Sequence, residues 1–143
     1  MSEFAFDDRN IRWKQIDGID YLSLSVLDFD EKNEVIHVVF KFAANQQIIL
    51  HRHLTLNKTM TLQGEHRLYH LDGRLKEIRP TGRFTVAPPS DEPHREGGGD
   101  QDAVVLFAIY GKGSLYQALD DDSNVIRDLT LEDFAGLYDR DGN

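Results

Sequence analysis

The sequence predicts an all-β sandwich or barrel in a single domain, ending in one short helix. Three observations predict it. Apolar and polar residues alternate in short runs along almost the whole chain. Gly, Pro, Asp and Asn cluster between those runs, where turns are needed. The 143 residues, 40% of them hydrophobic, show no internal repeat and no break in composition, so 1–143 reads as one unit with one core.

Residues 1–20 mix charges with Phe4, Phe6, Ile11, Trp13 and Ile16, a spacing that fits an arm packed on the body. Residues 21–29 alternate apolar with small polar side chains and read as a strand. Asp30-Glu31-Lys32-Asn33 is a polar turn into a second strand over 35–42. There Ile36, Val38, Phe40 and Phe42 share one face, and Val35, His37, Val39 and Lys41 share the other. His37 is therefore expected to point away from the interior. A short connection over 43–46 leads through Ile48-Ile49-Leu50 into His51 and His53.

Strands are expected over 59–63 and 65–71, with Leu71-Asp72-Gly73-Arg74 as a hairpin turn whose Asp-Gly suits positive φ. The chain returns over 75–79, turns at Pro80-Thr81-Gly82 and forms a strand over 83–87. The following Pro88-Pro89-Ser90-Asp91-Glu92-Pro93 is too rich in proline for a central strand. Residues 97–102, opening with three glycines, read as a flexible loop. The most apolar run, 103–110, is expected to be buried on both faces. After Gly111-Lys112-Gly113 comes a strand over 114–119 and a turn over 120–124. Thr130 is placed as the N-cap of a helix of at most two turns. Asp133 takes the capping-box position usually held by Glu or Gln.

Charge and composition narrow the function. The net charge of −9, with no Lys/Arg cluster to track phosphates, excludes nucleic acid as a partner. No apolar run reaches bilayer-spanning length, so no membrane partner is expected. Residues 1–8 carry acids and no apolar signal core, which fits a cytoplasmic protein. With no cysteine, a metal would have to be held by His, Asp, Glu or Asn.

His51 and His53 are two apart, and on a strand both project from one face. They are either half of a metal site completed from elsewhere or two surface histidines on a solvated strand. The pattern around them supplies a resemblance. His51-x-His53-x3-Asn57-x6-Gly64 resembles the first motif of the cupins, HxH-x3-E-x6-G, with Asn57 at the glutamate position. Gly82-x5-Pro88, Ser90 and His94 resemble the second motif, G-x5-P-x-G-x2-H, with His94 one residue late and Gly98 near the motif's asparagine position. The resemblance implies an RmlC-like jelly-roll β-barrel with one divalent metal at its open end, held by His51, His53 and His94.

Residues 64–69, Gly73, Lys76-Glu77, Arg79-Pro80, Gly82 and 94–100 give a narrower resemblance, within about 35–115, to acetylacetone-cleaving (β-diketone) dioxygenases. ChrR-like regulatory cupins are similar too. The narrower resemblance implies iron(II) on three histidines without a glutamate, with zinc or nickel as other occupants. Substrate and O2 would be the partners, in a C–C cleaving oxidoreductase acting on a small β-dicarbonyl or related oxo compound. The other reading is a non-catalytic cupin that binds a metal or small molecule and regulates a partner. Three neutral imidazoles leave the +2 charge of a divalent ion uncompensated, which favours a chelating anion such as an enolate.

Parity places Gln47 and Ile49 beside the ligands, as cavity lining. Asn57 is expected to be a weak carbonyl ligand or to bridge a water. Glu65, Arg67 and Tyr69 share one face, which either reaches the cavity or carries a cross-strand ion pair. His66 and His70 are expected to lie outward and exposed. The Asp120–Asp122 run reads as a solvated turn. Asp139-x-Asp141-Gly142 begins like a calcium loop but the sequence ends before one is complete. Glycines 97–99 have no phosphate-loop lysine. Exposed strand edges and the apolar arm suggest a homodimer.

Overall fold

The computed structural model describes residues 5–138. Its first layer is a five-stranded antiparallel sheet built from β1 (Leu22–Asp30), β2 (Val35–Phe42), β4 (Asn57–Gln63), β7 (Phe84–Ala87) and β9 (Ala103–Tyr110), in the order β1-β2-β9-β4-β7. The second layer has two three-stranded sheets. One pairs β11 (Val125–Thr130), β10 (Ser114–Leu119) and β3 (His51–His53), and the other pairs β6 (Leu75–Pro80), β5 (Glu65–Tyr69) and β8 (Arg95–Gly97). Antiparallel bridges His51–His94 and Gln47–Gly97 join the two, so the layer runs β11-β10-β3-β8-β5-β6. This is a jelly roll, with α1 (Leu131–Ala135) at the end of the described chain.

Alternation explains the long strands. On β2 the predicted inward set, Ile36, Val38, Phe40 and Phe42, is buried, as are Ala103, Val105, Phe107 and Ile109 on β9. Phe40 and Phe107 meet edge to face, 4.8 Å between ring centroids. Each such buried side chain contributes roughly 1.5–3 kcal/mol relative to exposure. The expectation that 103–110 is buried on both faces holds only at Val104. Beyond it Leu106, Ala108 and Tyr110 are half-buried, because among the described residues no second layer covers the outer face of this sheet.

Within the segment 1–20 expected as an arm, residues 13–20 lie against the body. Lys14 pairs with Leu24, the Lys41 ammonium sits 4.4 Å above the Trp13 ring, and Ile16 and Ile19 are buried against the core. The hairpin at Asp72-Gly73 closes with Gly73 at φ 90, where a glycine is favoured. At the other end, Thr130 Oγ1 accepts from Asp133 N–H (3.2 Å), and Asp133 Oδ2 accepts from Thr130 N–H (2.8 Å). Aspartate completes the box, and Leu131 and Phe134 anchor a helix of a single turn.

Two strands had no signal in the sequence. β11 carries four exposed residues in a row, Val125 to Asp128, because it is an edge strand paired only with β10. β8 is three residues long. The glycines expected in a flexible loop are buried instead: Gly97 ends β8, Gly98 and Gly99 follow it, and a Cβ on Gly97 would overlap the Gln46 carbonyl oxygen. At Gly97 and Gly98 two backbones meet, and Gly99 lies against the Glu65 and Arg67 side chains. The Asp139–Asp141 pattern and Phe4 lie outside the described residues. Among the described residues no helix is long and apolar enough to cross a membrane.

Candidate metal centre

The centre lies on the seam where β3 meets β8. His51 N–H donates to the His94 carbonyl (3.0 Å) and His94 N–H to the His51 carbonyl (2.9 Å), a closely spaced antiparallel pair. On its other side β3 pairs with β10, His53 opposite Tyr116 and His51 opposite Ala118. Side chains two apart share a face, so His51 and His53 project from one strand, and His94 and Glu96 project to meet them from the next.

One donor atom from each of these four residues lies within 4.8 Å of every other. Glu96 Oε2 is 2.6 Å from His51 Nε2 and 3.2 Å from both His53 Nε2 and His94 Nε2. The His53 and His94 Nε2 atoms are 3.1 Å apart. Donors bound to one ion at about 2.1 Å stand roughly 3 Å from each other.

Proton accounting supports a cation at this point. His51 Nδ1 lies 2.8 Å from the Ile49 carbonyl, which only accepts, so Nδ1 carries the proton. In the neutral ring Nε2 then aims a lone pair at the carboxylate. Burial drives the His53 pKa down to about 3, against the pull of Glu96, and burial likewise lowers His94. Burial alone would raise Glu96, but the imidazoles of His51, His53, His66 and His94 packed against its two oxygens together hold it well below the usual carboxylate range. Neutral imidazoles and an ionised carboxylate are the forms that ligate metals. Lone pairs and one negative charge converging in a buried spot fit a divalent cation.

The remaining expected residues fall into place differently. Asn57 is fully buried but outside the group. Its Nδ2 donates to the Thr55 carbonyl (3.0 Å) and its Oδ1 accepts from Tyr116 O–H (2.5 Å), so its carbonyl is committed to a tyrosine rather than to a metal. Ile49 lines the cavity; Gln47 does not, and its amide reaches the Gly73 carbonyl (3.2 Å). The parity argument fails there because 48–50 is not regular strand.

Arg67 and Tyr69 do not line the cavity. Arg67 Nε donates to Glu65 Oε2 (2.9 Å) along the outer face of their own strand, not across strands. That leaves the inner face of β5 to His66 and Leu68. His66, expected outside, is completely buried, and its Nε2 lies 2.5 Å from Glu96 Oε1. His70 sits half-buried in the turn after β5. His37 stays on the outer face of β2, as predicted, half-buried.

A narrow cavity of about 40 Å³ adjoins the centre between the two layers. Ile16, Ile19, Leu22, Phe40, Leu129 and Phe134 are among its apolar walls, and His51, Glu96 and Tyr116 are its polar lining among the described residues. The Tyr116 ring is 4.8 Å from that of His53. Burial, with the Glu96 charge nearby, pushes its hydroxyl well above the ordinary pKa, so it is a neutral donor. Glu96, His66 and Tyr116 were not picked out as site residues from sequence. Glu96 had a signal, since His94-x-Glu96 repeats the spacing of His51-x-His53.

No protein-family model and no curated protein matches the sequence. Solved structures do match. An RmlC-like cupin protein from Ralstonia eutropha superposes with a TM-score of 0.73 at 16% identity, over 96% of this chain and 85% of that one. An acetylacetone dioxygenase from Acinetobacter johnsonii gives 0.70 at 12% identity, over 96% and 90%. The anti-sigma factor ChrR of Rhodobacter sphaeroides, solved with SigE, gives 0.54 at 21%, over 70% of this chain and half of that one. The chain has the cupin fold.

Proposed function

We propose that the protein is a metal-dependent cupin oxygenase, with iron(II) held by His51, His53, His94 and Glu96. It would cleave a carbon–carbon bond in a small β-dicarbonyl or related oxo compound. The observation that carries the reading is three imidazoles and one carboxylate converging at the end of an apolar cavity. The fold shared with an acetylacetone dioxygenase supports it. The metal, when bound, supplies a Lewis-acidic centre that binds a chelating enolate and brings O2 beside it.

The chain's own residues do the rest. Ile16, Ile19, Phe40 and Phe134 exclude water and hold the apolar part of the substrate. No Lys or Arg lines the cavity among the described residues, so a substrate carboxylate would be buried without a partner there. Tyr116, fixed by Asn57, presents its ring beside His53 and closes one wall.

The test is metal content of protein purified without oxygen, followed by oxygen uptake on adding acetylacetone after iron(II) loading. About one iron per chain with uptake is the expected result. Tightly held zinc and no uptake after iron exchange would overturn the catalytic reading. That outcome favours a metal-binding regulatory cupin, and four protein donors in one buried group give that reading its own support, since closed four-donor sites are typically structural.

A further inference from the structure

We infer that His66 is a positioning residue that makes Glu96 serve the centre through a single oxygen. The inference rests on the metal reading above. The two carboxylate oxygens of Glu96 face different ways: Oε2 lies among the Nε2 atoms of His51, His53 and His94, and Oε1 is 2.5 Å from His66 Nε2. Glu96 accepts at Oε1, so His66 carries its proton on Nε2 and donates it there. An oxygen engaged in that bond is turned away from the ion. Glu96 then occupies one coordination position instead of two, and a position stays open for substrate.

The local structure is built to hold this arrangement. Leu68 stands opposite Glu96 in the β5–β8 pairing, which places His66 two residues along the same inner face. The His66 ring lies against Phe42, 5.0 Å between centroids at 16°, and Phe107 meets it at 5.9 Å, so it cannot turn freely. Its Nδ1 is buried with no hydrogen-bond partner. A residue present only to fill this apolar slot would avoid that cost by being Leu or Phe. The histidine is explained by what Nε2 does.

The probe is cobalt(II), read by competition titration and by its visible spectrum, which reports coordination number. His66→Gln keeps an amide N–H that reaches about as far as Nε2; His66→Leu removes the donor, and His66→Asn keeps polarity but stops short. Gln is expected to retain the affinity and spectrum of the unmodified protein. Leu and Asn are expected to bind about 10–100-fold more weakly, with a spectrum shifted toward higher coordination. If Leu does not fold, Asn carries the comparison. Undiminished affinity and an unchanged spectrum in the Leu or Asn variant would overturn the positioning role and leave the metal reading standing. An unmodified protein that takes up no cobalt(II) overturns both.

Discussion

The two walls of the centre are built on different logic. The β3–β4 wall carries His51 and His53 in the familiar cupin spacing, but the acid expected beside them is Asn57, neutral and bonded to Tyr116. The β8–β5 wall departs from the second motif and supplies His94, the only carboxylate of the group, Glu96, and the histidine that holds it. The negative charge has moved from one wall to the other. A missing ligand at a motif position is thus no evidence that the charge is missing. It is a reason to search the facing strand for side chains of matching parity.

The comparison can be broken most severely at the donors. His94→Ala should abolish metal retention, measured by elemental analysis after dialysis, while the circular dichroism spectrum stays that of the folded barrel. Full occupancy would mean that His94 is not a ligand. Glu96→Gln should weaken binding by more than the roughly 10–100-fold that loss of an outer hydrogen bond costs, because it removes a donor and a charge together.

Asn57→Ala should do the opposite. It leaves the Tyr116 hydroxyl buried without an acceptor, at about 1–3 kcal/mol in urea unfolding, with metal affinity unchanged within about threefold. A tenfold loss of affinity there would put Asn57 back at the metal. Smaller effects belong outside the cavity. Arg67→Ala should cost about 0–1 kcal/mol, as an exposed pair does, and leave oxygen uptake alone. His37→Ala should change stability by no more than about 0.5 kcal/mol and metal content not at all.

Long strands were legible from alternation: β2, β9 and β10 have the bounds their sequence runs suggest, and Thr130 and Asp133 made the cap readable. Where the backbone leaves regular strand, parity misleads. Gln47 lost its predicted place because 48–50 is irregular. On β5, reading His66 as outward ignored Leu68, which is bound to the same face and had to be buried. β8 was invisible for a different reason. A strand of Arg, Glu and Gly has no alternation, and it exists only because β3 and β5 lie on either side of it. Gly97 and Gly98 encode a close approach between distant backbones, which composition alone renders as flexibility. Tyr116 was missed because its role depends on the β3–β10 pairing.

The backbone exchange between His51 and His94 has a consequence for how the protein would take up a metal. In a zinc finger, ion capture and chain folding are one event, so removing the ion unfolds the chain. Here two reciprocal amide bonds and the β10 pairing hold the histidine backbones in register independently of any ion. A metal would then bind to a finished scaffold. Because imidazole and carboxylate donors can bind iron, nickel or zinc, with different affinities, the occupant of such a site would be set by its geometry together with the supply of free metals.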